Sequence, residues 1–180
     1  AEDVLDVYAA SAAISIVARA GEWRHALELL DRVATPDLAC FNAAFSACEK
    51  AASEQAAAAD AARALLERMA VHGIPPTRSC FTATGRASMR HGDWQSALGM
   101  FDTMKERGVV PLYSDVKGAI VAATQGKAWV RVAVLVEAAC KLNPRASQQE
   151  WLWRTWSRAQ LCRIHDELAS LAVDKAATTA

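Results

Sequence analysis

Thr82, Arg86 and Arg90 stand four residues apart in the segment FTATGRASMRHG. On a helix that spacing lines them up along one face. A hydroxyl beside two fixed cations suits hydrogen bonding to a polar ligand whose phosphates are held by charge, as in a single-stranded RNA with splayed bases. Comparable triplets occur at Ser11, Ser15 and Arg19, then at Asn42, Ser46 and Lys50. A fourth, Lys117, Val121 and Gln125, carries its cation at the other end. Next to each polar row runs an apolar one: Ala10, Ala13, Ile14 and Val17; Phe41, Ala44, Phe45 and Cys48; Val116, Ala119, Ile120 and Ala123. The segment after Phe81 weakens this row with Thr84, Gly85 and Ser88. Stacked side by side, such helices would align their polar rows into one band with a basic margin. A solvated polar face is the plain alternative.

Reactive chemistry finds less support. His25, His72, His91 and His165 fall at no metal-binding spacing and have no nucleophile pattern nearby. The five cysteines, Cys40, Cys48, Cys80, Cys140 and Cys162, contain no CxxC pair and no Cys/His spacing suited to zinc. Cys40 and Cys80 occupy equivalent places and read as small packing residues, and an odd count without a framework fits a reducing compartment. Gly126-Lys127 is followed by Ala128, so it is not a phosphate loop. The expectation is a protein that is not an enzyme, with no cofactor, no metal and no small-molecule substrate.

The elements that carry the polar rows come from an internal repeat. GDWQSALGMFDTM from Gly92 aligns with GEWRHALELLDRV from Gly21, and FTATGRASMR from Phe81 with FNAAFSACEK from Phe41. Self-similarity at this period is the mark of a solenoid, whose units bury their apolar faces on their neighbours. The intact copy, 78–112, spans 35 residues. In it Gly92 ends a first helix, Asp93 caps a second, Trp94 packs in the first turn, and Gly108 with Pro111 closes the unit. The other units are 7–37, about four residues short; 38–77, about five too long; and 113–147, the most degraded, with Gly126 one place early. The surplus in 38–77 falls in KAASEQAAAADAARALLERM, which predicts a longer second helix with Ser53 as its cap. A last helix over about 148–173, capped by Ser147 and Glu150, and a tail over 174–180 complete one predicted domain. The fold class is all-α: a right-handed solenoid of about four hairpins with a C-terminal capping helix.

Net charge is zero, yet residues 1–77 carry 6 basic and 11 acidic side chains (−5), whereas 78–147 carry 10 and 5 (+5). A polyanion would therefore be drawn to the middle of the chain. No apolar run of about 18 residues exists to span a bilayer. The chain opens on Ala1, which fits a removed leader or a trimmed segment. On the last helix, Trp153 joins the apolar stripe of Leu161, Ile164, Leu168 and Leu171. Trp151 and Trp156 project to opposite flanks and are candidate protein contacts, because an exposed indole is unfavourable unless covered. Alternatively, Trp151 folds back on the fourth unit.

FNAAFSACEK, GDWQSALGMFDTMKERGVVP and ATPDLACFN resemble the pentatricopeptide repeat family across residues 7–147. That resemblance implies a superhelix of 35-residue hairpins and residence in a mitochondrion or plastid after loss of a leader. It also implies that the fifth and last residues of a unit select a base. The pairs are Ser11 with Asp37, Asn42 with Thr77, and Thr82 with Leu112, while Lys117 takes the fifth place of the fourth unit. Leu112 has no side-chain hydrogen bond to offer. Two roles follow: a scaffold or accessory subunit making protein–protein contacts in a larger organellar assembly, or single-stranded RNA binding in organellar RNA metabolism.

Overall fold

A computed structural model describes residues 7–142, 162–166 and 169. Eight helices follow one another: α1 (Val7–Ala20), α2 (Trp23–Asp31), α3 (Leu38–Ala51), α4 (Ala56–Val71), α5 (Arg78–His91), α6 (Trp94–Glu106), α7 (Tyr113–Gln125) and α8 (Trp129–Leu142). Residues 162–166 are also helical, with Ile164 buried. The described residues contain no strand. The remainder of the expected capping helix, with Ser147, Glu150, Trp151, Trp153 and Trp156, lies outside the described residues, as does the tail.

The chain divides into two compact units, Ala1–Val110 and Pro111–Ala180. In the first, three hairpins stack in sequence to make an α-solenoid. The first helix of each hairpin packs on the first helix of the one before, α1 on α3 and α3 on α5. The second helices α2 and α4 reach forward to α3 and α5. The core is what the apolar rows predict: Ala10, Ile14, Phe41, Phe45 and Phe81 are almost fully buried. Alanine and cysteine fill the rest of the seam at Ala44, Ala47, Cys48, Cys80 and Ala87, and small side chains let neighbouring helices approach closely. Thr84 and Ser88 are buried as well. Thr84 returns its hydroxyl hydrogen to Cys80 O at 2.9 Å, whereas Ser88 Oγ has no partner. In the second unit α7 packs on α8, burying Val116, Ile120, Val132 and Leu135.

Among the described residues four ion pairs tie successive hairpins of the first unit: Arg68 with Asp31, Arg63 with Asp93 at 3.6 Å, and Arg86 and Arg90 with Glu49 at 2.9 and 3.8 Å. The turns explain the uneven unit lengths. Gly92 takes φ +87° and ends α5 by the left-handed route that favours glycine. Unit 7–37 is short because α2 has 9 residues where α6 has 13, one turn fewer. In 38–77 two of the surplus residues widen the turn at 52–55, and three lengthen α4 to 16 residues. Ser53 does not cap α4: its hydroxyl donates back to Lys50 O at 3.4 Å, inside that widened turn. In 113–147 the helix ends one residue early, so Gly126 stays right-handed at φ −76° and Lys127 takes the positive φ of 55° instead.

Asp93 caps α6 as expected, accepting from Ser96 N at 3.0 Å. Hydrogen bonds from the Ser96 side chain and backbone, opposed by partial burial and aided by Arg63, hold its carboxyl below the usual aspartate range. A depressed folded pKa adds stability above the unfolded value and loses it as pH falls through the folded one. Asp93→Ala should therefore cost about 1 kcal/mol at pH 7. In urea melts the gap from the parent should narrow as the pH falls below the ordinary aspartate value of about 3.9; an equal gap at neutral and acid pH would remove the carboxylate from the explanation.

Candidate nucleic-acid interface

The polar rows of α1, α3 and α5 share the solenoid of the first unit, on helices that touch in sequence. At the thirteenth place of each unit stand Arg19, Lys50 and Arg90, all exposed. Arg19 and Lys50 form no ion pair among the described residues. At the fifth place Ser11 and Thr82 are half-buried and Asn42 is exposed. Ser11 Oγ donates to Tyr8 O at 3.2 Å, and Thr82 Oγ1 to Arg78 O at 2.9 Å. The Ser11 hydroxyl keeps lone pairs for an outside donor.

The last-place residues are spent on the protein itself. Asp37 caps α3, its carboxylate accepting from Cys40 N at 2.9 Å. That bond holds its pKa below the usual range. Thr77 places its hydroxyl 3.4 Å from Cys80 Sγ, and the same thiol lies 3.8 Å from Asn42 Oδ1. Asn42 and Thr77 thus converge on one sulfur, as a base-selecting pair would need to converge on one base. Cys80 holds the third place of its unit, and so does Cys40, whose thiol points to Val7 O at 3.9 Å. From the sequence both thiols read as packing alone; the structure adds these polar contacts. Burial pushes the Cys40 and Cys48 thiols up, Cys48 to about 12, which makes them poor nucleophiles.

Arg86 and Arg90 are not open cations. Both reach back to Glu49 on α3, Arg86 Nη2 to Oε2 at 2.9 Å and Arg90 Nη2 to Oε1 at 3.8 Å. An aromatic group that the fifth-place count passes over also belongs to the row. Tyr8, 84% exposed, precedes Ser11 by three residues and lies within about 20° of Ser15 and Arg19 in helical projection.

Lys117 and Leu112 belong to the second unit, where Lys117 is exposed on α7. Leu112, also exposed, donates its N–H to Asp115 Oδ2 at 2.8 Å, which caps α7. At the turn end of the first two hairpins a polar cleft of about 400 Å³ is lined by Trp23, Arg24, Lys50, Glu54 and Gln55, among others. Gln55 Oε1 accepts from Trp23 Nε1 at 2.8 Å and from Arg24 at 3.1 Å, while Arg24 lies over the indole at 4.7 Å. No group of three His, Cys, Asp or Glu side chains able to hold a metal occurs among the described residues, and no described helix is long and apolar enough to cross a membrane.

Stacked helical hairpins with an open polar face define a helical-repeat binding module. Residues 80–109, within the third unit, match the family described as PPR repeat. The chain is also similar to the PPR domain of Arabidopsis thaliana protein-only RNase P 1, solved in complex with tRNA. Identity is 15% over 86% of this chain and 94% of that one, with a TM-score of 0.45. No curated protein sequence matches the chain.

Proposed function

We propose that the protein binds single-stranded RNA along the first-helix face of its solenoid, weakly, as an accessory subunit of a larger organellar assembly. The observation that carries this reading is the exposed row of Arg19, Lys50 and Arg90 on three consecutively packed helices, beside the hydrogen-bonding groups of Ser11, Asn42 and Thr82. Cations at a repeating place match a repeating phosphate, and hydroxyl and amide side chains match base edges. Three hairpins address about three bases at one per repeat. The module acts by holding and presenting a strand, with no reacting group assigned. The test is equilibrium binding of a short unstructured RNA by the chain and by a variant carrying Arg19→Ala, Lys50→Ala and Arg90→Ala. The reading requires weaker binding by the variant; equal binding overturns it.

Protein–protein contact is a second reading, favoured by the outer side of α1. At the third and tenth places of a unit, Cys40, Ala47, Cys80 and Ala87 are fully buried where α3 and α5 meet the first helix before them. The same places on α1 are Ala9, exposed, and Ile16, 66% exposed. A helix of the same kind would fit there. Ile16→Glu should leave the stability of the isolated chain within about 0.5 kcal/mol, since the side chain is exposed, yet remove the chain from its native complex on size-exclusion chromatography. Unchanged co-elution would discard this contact.

A further inference from the structure

We propose that Glu49 is a built-in competitor for RNA phosphate at the third hairpin, holding down the affinity of the α3–α5 face. This inference rests on the reading of that face as an RNA-binding surface. Glu49 sits in the last turn of α3, next to Lys50, with its side chain only 17% exposed. Arg86 and Arg90, on α5, are 59% and 49% exposed and converge on its two carboxylate oxygens. A carboxylate drawn this far out of water needs a partner, and two guanidinium groups supply one. Arg86 and Arg90 each direct one Nη to Glu49, out of five N–H donors per guanidinium. With both side chains about half exposed, a phosphate can reach the rest of each guanidinium.

An arriving phosphate meets one of two penalties. Displacing Glu49 strands a partly buried carboxylate, and sharing the arginines places two anions side by side. Either one lowers the affinity for a polyanion. The arrangement is local to this step of the solenoid: the twelfth place, held here by Glu49, is Ala18 in α1 and Met89 in α5. The third hairpin, which carries Arg86 and Arg90, is thus faced by an anion from the hairpin before it, which lets weak, unspecific polyanions lose the competition.

The experiment compares four proteins by fluorescence anisotropy with an unstructured single-stranded RNA at about 0.1 M salt, the range in which exposed charges still act. They are the parent, Glu49→Gln, Glu54→Gln, and a variant combining Glu49→Gln with Arg86→Ala and Arg90→Ala; thermal melts establish that each is folded. Glutamine keeps the size of Glu49, removes its charge and turns one of its two acceptor oxygens into an NH2 donor. Glu54 is an exposed acid outside the clamp and controls for net charge. Glu49→Gln should bind roughly threefold to tenfold more tightly than the parent, with a salt slope steeper by about 0.7 for each additional phosphate that the freed arginines engage. Glu54→Gln should stay near the parent, and the combined variant should lose the improvement. Glu49→Ala serves as a second variant if the glutamine protein does not fold. Equal or weaker binding by Glu49→Gln, while the parent still depends on Arg19, Lys50 and Arg90, overturns the competitor and leaves the RNA-binding face standing. An equal improvement in Glu54→Gln overturns it too, because net charge alone would then suffice. If neither parent nor Glu49→Gln binds, both readings fall together.

Discussion

Phe41→Ala should destabilise the protein by about 3–5 kcal/mol, the range for deleting a fully buried phenylalanine. Phe41 is wholly inaccessible, and its ring lies 5.9 Å from that of His72. It belongs to α3, which packs on α1, α2, α4 and α5, more partners than any other helix of the first unit. Phe45 is the one other large side chain of its row on α3, where Ala44 and Cys48 are too small to fill the cavity left behind. In a solenoid each hairpin is held by its neighbours, so loosening α3 weakens the hairpins on both sides. A domain of this size should lose roughly 6–20 °C of melting temperature. A loss under about 1 kcal/mol in urea would show that the core is not built around this side chain.

The second large effect concerns binding. Replacing Arg19, Lys50 and Arg90 together by alanine should weaken RNA binding roughly tenfold to hundredfold, at about 0.5–1 kcal/mol for each exposed charge contact. All three are exposed, so folding should be spared. Each substitution should act on all RNA sequences alike, since phosphate contacts position a strand without reading it. Tyr8 provides an exposed ring for stacking on a base, a contact worth about 1–3 kcal/mol.

The sequence displays the repeat plainly, because the features that define it are local. Gly92 needs a positive φ, Asp93 needs only the N–H three residues on, and the apolar rows follow helical spacing. Other features depend on distance along the chain. Glu49 reads as one more solvated acid until α5, 37 residues later, brings Arg86 to it. Asp37 reads as a base selector by its place in the unit, yet that place is also the cap of the next helix, and the cap takes its carboxylate. Ser53 has the composition of a cap and the wrong position, because the alanine-rich run widens the turn as well as lengthening α4. Gly126 has the residue type for a left-handed turn, but one residue fewer in α7 hands that conformation to Lys127. Tyr8 escapes notice because the polar row is counted from the fifth place, one turn beyond it.

The proposed RNA-binding face carries three cations at one repeat position, Arg19, Lys50 and Arg90, beside hydrogen-bonding groups. The salt dependence of RNA binding tests that claim most directly. Titrating the chain with a short unstructured RNA from about 50 to 200 mM salt should give a log–log slope of about −2, from three phosphate contacts at about −0.7 each. Affinity should then fall about sixteenfold over that range. A slope near zero, or no binding even at the lowest salt, would contradict the account and leave the polar face as solvated surface.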